Sequence, residues 1–282
     1  MALSDTGNKI KDSVSGIVKG TGDVVGGTIE TVKDTVAGTL RGTGDVAKDA
    51  TAAVADAITG ALQAVGEVGG SIVDVVKGTV VGILEGVGEI TTVTAGVVSG
   101  TVRAAIKGTA EIGGDVAEAA AGTAQAAITA TRSVAMDVEE TAVSVGRGAI
   151  LGAKDIGADF VTTASETVGG VVKGAKDVAV DAVSAIQSTA TGLVKGAGEV
   201  GADVTSVARG AVVGAIETAK EIGLNVEEAA SAAATGAVEG AKDLGQSTVD
   251  AVRGVVSGTV EGVKVTVKGD KAGGSSRTTK KS

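Results

Sequence analysis

The chain has no cysteine, histidine, proline, tryptophan or tyrosine, and a single phenylalanine, Phe160, in 282 residues. Each absence removes a class of chemistry. Without cysteine there are no disulfides, thiolate nucleophiles or thiolate metal sites, and the redox compartment leaves no mark. Without histidine no side chain titrates near neutrality unless its surroundings shift it. Without aromatics a core must be assembled from small aliphatic side chains, because the groups that usually dominate core packing are missing. No apolar run free of charge reaches the length of a transmembrane helix, so none is expected. The opening residues show no basic segment followed by an apolar one, so no signal peptide is expected. These readings predict a cytoplasmic chain that does not span a membrane.

What is present is glycine, alanine and valine. Glycine accounts for 46 residues, and mean hydropathy is +0.34, too apolar for a highly charged disordered chain. Net charge is −9. The last residues, 264–282, carry six Lys or Arg and one acid, +5 in net, which leaves −14 on the rest. An acidic body argues against nucleic acid as a partner.

The distribution of charge reveals an internal repeat. Numbered modulo 11, fourteen acids share the class of Asp23 and ten share that of Glu30, and most of the others share that of Asp49. One class is rich in cations and forms a basic edge: Lys11, Lys33, Lys77, Arg132, Lys154, Lys176, Arg209, Lys220, Lys242 and Arg253. Eleven residues in three turns give about 3.67 per turn, the period of a nearly straight or slightly right-handed helix. The uncharged classes fall side by side and form an apolar face nearly half the circumference wide, broader than a coiled-coil seam.

A 22-residue period lies over the first. One class is aliphatic throughout: Val18, Leu40, Leu62, Leu84, Ile106, Ile128, Ile150, Val172, Val194, Ile216, Val238 and Val260. So is a second: Val24, Val46, Val68, Ile90, Ile112, Val134, Ile156, Val178, Val200, Ile222 and Leu244. These two flank the apolar face, with mostly Ala, Thr and Gly between them, and are the candidate surface-binding residues. Glycine recurs at 16, 38, 60, 82, 148, 170, 192, 214, 236 and 258, and again four residues later at 20, 42, 86, 108, 152, 174, 196, 240 and 262.

A β-solenoid with 22-residue coils would also suit Val, Thr and Gly. The apolar positions step by 3 and 4, not by 2, which favours helix. The predicted fold is therefore all-α: a long continuous or hairpin-folded amphipathic helix over 11–264, after a short lead at 1–10 and before a disordered basic tail at 265–282. Fully extended it would reach about 375 Å at 1.5 Å per residue. Each interior glycine costs about 0.8–1 kcal/mol relative to alanine, so the stability of such a helix must come from burying its face. No proline enforces a kink. Candidate hinges are Gly26-Gly27, Gly69-Gly70, Gly113-Gly114 and Gly169-Gly170, and Glu139 and Glu227 intrude on the apolar face.

Other motifs are weak. The Gly-x-x-x-Gly pairs read either as small residues at a face edge or as sites of close helix–helix approach. Gly20-Thr-Gly-Asp and Gly66-Glu-Val-Gly-Gly follow no strand and lack the lysine-serine pair of a phosphate loop. No carboxylates have the spacing of a calcium loop. No catalytic residue, metal, cofactor or small-molecule substrate is expected.

With both periods in view, segments such as Gly254-Val-Val-Ser-Gly-Thr-Val-Glu-Gly-Val-Lys264 resemble the repeats of synucleins and perilipins. The 22-residue tandem is similar to that of exchangeable apolipoproteins. The missing Cys, Trp and His and the 11-residue period are similar to group 3 late-embryogenesis-abundant proteins. The first resemblances imply a non-catalytic coat, peripheral on a membrane, lipid droplet or similar apolar surface, with a homo-oligomer possible through the same face. Two alternatives stand beside it: a self-assembling helical bundle or filament, and a desiccation protectant.

Overall fold

The computed structural model describes residues 4–20, 22–41 and 46–268, with the side chains of 46–49 and 51 left aside. Among the described residues twelve α-helices account for nearly all of the structure. They are α1 (Asp5–Lys19), α2 (Val24–Arg41), α3 (Val46–Val68), α4 (Ile72–Gly88), α5 (Ala95–Glu111), α6 (Val116–Val134), α7 (Val138–Ile156), α8 (Phe160–Asp177), α9 (Ala182–Val200), α10 (Val204–Ile222), α11 (Val226–Ala241) and α12 (Gln246–Val256). A hairpin of β1 (Gly258–Val260) and β2 (Val263–Val265) follows.

The chain is all-α as expected, but it is not one continuous helix. Val116, Val138, Phe160, Ala182, Val204 and Val226 each open a helix, so a new one starts at every turn of the longer sequence period. Each start is set by a side-chain cap, which supplies an acceptor to an otherwise orphaned backbone N–H. Asp115 accepts from Glu118 N, Asp137 from Glu140 N, Asp159 from Thr162 N, and Asn225 from Glu228 N. Of the helices before α11, α6 to α10 stop at a left-handed residue: Gly157, Gly201 and Gly223 have φ of 66°, 70° and 77°. The next N–H then bonds back five residues, as Ala158 to the Ala153 carbonyl and Ala202 to the Ala197 carbonyl, both at 2.9 Å, which closes the exposed helix end. Ala135 and Ala179 hold the same place at φ of 51° and 56°. Of the four glycine pairs, 69–70 and 113–114 are linkers, whereas 26–27 and 169–170 lie within helices. Glu139 and Glu227 sit in the first turns of α7 and α11.

The helices pack by alternation, each chiefly against the helix two before it. The glycines fix the register. A Cβ at Gly174 would lie 2.7 Å from the Gln125 carbonyl oxygen, and one at Gly240 would lie 2.6 Å from that of Thr191. Gly170, Gly192, Gly214 and Gly236 are pressed still closer, onto the carbonyls of Ala121, Val143, Ser165 and Gln187. The interval from carbonyl to glycine is the same in every one of these pairs, so alternate helices run parallel. The short turns reverse the chain between neighbours. The result is two layers, one of odd-numbered and one of even-numbered helices, sharing one continuous aliphatic core.

The C-terminal end is capped. Val260, Val265 and Val267 are buried, Thr266 N donates to Ser231 Oγ and Lys268 N to Thr235 Oγ1, each at 3.1 Å. Ser231 and Thr235 stand two of the 22-residue periods beyond Gln187 and Thr191, so β2 and the residues after it occupy the platform that a further helix would use. The tail expected to begin at 265 is therefore docked as far as Lys268; residues 269–282 lie outside the described residues.

Candidate functional site: packed faces and an open seam

The apolar face turns inward. Leu40, Leu62, Leu84, Ile106, Ile128, Ile150, Val172, Val194, Ile216 and Val238 are all buried in the core. The second class ends the helices: Ile112, Ile156, Val178, Val200 and Ile222 are half-buried against the core beside the turns. Val18, Val24 and Ile90 are likewise half-buried, and Val68 and Val134 close α3 and α6. Two members leave the helical pattern. Val260 is a strand residue, and Leu244 lies in a short 3₁₀ turn after α11, where its side chain covers Gly198. Val46 falls outside the described side chains. The face expected to make surface contact is thus closed upon other helices of the same chain.

The basic edge does not form a single array. Lys11 pairs with Glu67 at 2.9 Å, Lys33 with Glu89 at 3.7 Å and Arg209 with Glu261 at 3.7 Å, while Lys242 pairs with Glu239 in its own turn. The regular ladder uses other cations. Arg103 binds Asp155 through two bonds of 2.6 and 2.8 Å, Arg147 binds Glu199 at 2.9 Å, Lys173 binds Glu221 at 3.1 Å and Lys195 binds Asp243 at 2.9 Å. Each rung joins a helix to the one two further on or to the turn that follows it, and each acid belongs to the class of Asp23. The class of Asp49 has a different task, because Asp115, Asp137, Asp159, Asp181 and Asp203 are the helix caps. Sequence reading placed both classes on one polar face. The signal that separates them is the left-handed glycine or alanine two residues before each cap.

The alternate packing changes register between the first helices and the later ones. In the first four helices the glycine contacts join Ile29 to Gly82 and Lys33 to Gly86; from α5 onward they join Ser99 to Gly148 and Ala121 to Gly170. The later interval is the shorter, by about one helical turn. The change falls between α3 and α5. There a Cβ at Gly108 would meet the side chains of Leu62 and Ile58 instead of a backbone carbonyl. The two helices are held apart over a crevice of 740 Å³. Val54, Ile58 and Leu62 form its floor, with Val97, Ala104 and Ile112 along the α5 side. Gly96 and Gly100 leave that wall low, and nothing lies within 4 Å of a Cβ placed on Gly100.

Charges stand at the rim. Arg103 and Asp155 form the bidentate pair, and Lys107 reaches Glu111 only at 3.8 Å. The Arg103 guanidinium holds the Asp155 carboxyl below its ordinary pKa, with Lys107 and Lys154 acting in the same direction. A second cavity, of 620 Å³, lies by the α4–α5 and α6–α7 turns and is lined by Thr91, Thr92, Asp137 and Glu140 among others. Among the described residues no group of three or more acids could hold a metal, and no helix is long and apolar enough to cross a membrane. No family model and no curated protein matches the chain.

Proposed function

We propose that this protein is a non-catalytic binder of lipid-like apolar matter, which it meets with amphipathic helices that are closed upon one another in water. The observation that carries this reading is the seam between α3 and α5. There Val97, Ala104 and Ile112 of α5 stay half-buried beside a crevice whose floor, Val54, Ile58 and Leu62 of α3, is itself buried. Opening there would present the apolar sides of adjacent helices to a membrane, a lipid droplet or a similar surface, without unfolding any helix. The faces are shallow and aliphatic, so each helix binds weakly and the array binds through the number of its repeats.

The absence of cysteine permits a direct test. A Cβ at Gly108 lies 3.4 Å from Ile58 Cγ2 and 2.5 Å from Leu62 Cδ1, the end of a flexible side chain, so an Ile58→Cys/Gly108→Cys pair puts two thiols across the seam, to be joined by oxidation. The reduced variant floats with neutral lipid emulsions and the oxidised variant does not. Equal flotation in both states refutes opening at the seam, and no flotation of the unmodified protein refutes lipid binding.

A second reading is a self-supporting structural array. The interhelical ion-pair ladder and the glycine register favour it, since both hold alternate helices together without any partner. That reading predicts a folded protein indifferent to lipid in the same experiment.

A further inference from the structure

We infer that the crevice between α3 and α5 binds one unbranched aliphatic chain carrying an anionic head group, with the chain laid along the Val54–Ile58–Leu62 floor and the head at Lys107. The inference rests on the reading of the seam as the entry point for apolar matter, and it names the ligand class.

The lining decides the body of the ligand. Floor and wall are aliphatic, and the crevice offers no aromatic plane for a flat ring to stack on. A flexible hydrocarbon needs neither stacking nor internal hydrogen bonds. The volume of 740 Å³ lies within the usual range of small-molecule sites, about 300–1,000 Å³. The crevice is also elongated, because its residues recur from Val54 to Gln63 on α3 and from Gly96 to Ile112 along α5, several turns of each.

The rim decides the head. Two cations, Arg103 and Lys107, line this end of the crevice together with two acids, Asp155 and Glu111. The rim is thus balanced in charge, within a chain whose net charge is −9. Asp155 is engaged on both oxygens by Arg103. Lys107 is held only by Glu111, at 3.8 Å with both side chains more than half exposed. Such an exposed pair contributes little. An incoming carboxylate or phosphate can therefore take Lys107 and leave Glu111 to water.

The test is calorimetric titration of the intact protein with laurate below its micellar concentration, and with dodecyltrimethylammonium, which has the same chain length and the opposite head. Laurate is expected to bind saturably at one site, with the cationic amphiphile at least tenfold weaker, the factor that about 1.4 kcal/mol represents. Gly100→Leu fills the crevice and abolishes laurate binding, whereas Gly100→Ala leaves it measurable; circular dichroism checks that both remain helical. Lys107→Glu reverses the preference between the two heads. Equal binding of laurate by the unmodified protein and by a helical Gly100→Leu overturns the inference, as does equal binding of both amphiphiles. If the protein floats with vesicles yet shows no saturable laurate binding, the ligand inference fails while the surface reading stands. If neither occurs, both fail.

Discussion

At the residue scale the structure gives one residue type two opposite roles. Glycines at equivalent places in the repeat are either pressed onto a neighbouring carbonyl or open to space, according to whether a helix precedes them by two. Gly192 lies against Val143, whereas Gly38, in α2, has nothing within 4 Å of its Cβ position. Gly192→Ala is predicted to destabilise by about 1–3 kcal/mol through overpacking. Gly38→Ala is predicted to stabilise by up to about 1 kcal/mol, because it removes only the backbone entropy of glycine. Urea denaturation of the two variants checks the difference in sign. Ala179 is held at φ 56°, where a Cβ is strained by about 1–2 kcal/mol, so Ala179→Gly should raise the melting temperature.

The caps titrate. Hydrogen bonds from the Thr205 and Ser206 side chains hold Asp203 down to about 2, and the Thr162 amide and the Ser184 hydroxyl lower Asp159 and Asp181. Folded values below the ordinary carboxylate value near 3.9 mean that the unfolded chain binds protons first as pH falls. This contribution to stability is complete above about pH 4 and is lost as pH drops toward about 2. Helix content followed by circular dichroism should fall in that window, and Asp203→Asn, which keeps the cap acceptor, should lessen the drop. Asp203→Ala should cost about 1 kcal/mol at neutral pH.

At the element scale, the unit of the fold is one capped helix per 22-residue period, not the 11-residue charge repeat. Deleting residues 182–203 removes one whole unit, and the protein should remain folded with nearly unchanged helicity per residue. Deleting residues 182–192 preserves the 11-residue pattern but joins two half-units and removes the start of α9. That variant should lose helix well beyond the residues deleted, because α7 and α11 lose their shared neighbour. Circular dichroism per residue compares the two. The helical state and the two aliphatic classes were legible in the sequence. The helix boundaries were present too, as Gly157-Ala-Asp and Gly201-Ala-Asp, but a period that continues unbroken through a turn conceals it. Pattern alone does not reveal that Asp159 accepts from a backbone amide while Asp155 four residues earlier pairs with Arg103.

At the scale of the whole molecule, the chain makes its own apolar surface out of its neighbouring repeats. A periodic face predicts that something covers it, and periodicity cannot say whether the cover is lipid, another chain or the helix two further on. The crevice was hidden for a related reason. It arises where the interval between contacting backbones shortens by about one helical turn, while the sequence period continues without a shift. In an array stabilised by nearest neighbours, such a fault is where opening should cost least.

Hydrogen–deuterium exchange of the intact protein, resolved by helix in lipid-free buffer and again with neutral lipid emulsion, tests this most directly. Slow exchange in α7–α11 and faster exchange along the facing sides of α3 and α5 is the predicted lipid-free result, with the contrast spreading outward from that seam when lipid is added. Uniformly fast exchange without lipid would show that the helices are not closed upon one another. Uniformly slow exchange in both conditions would show that the seam does not open.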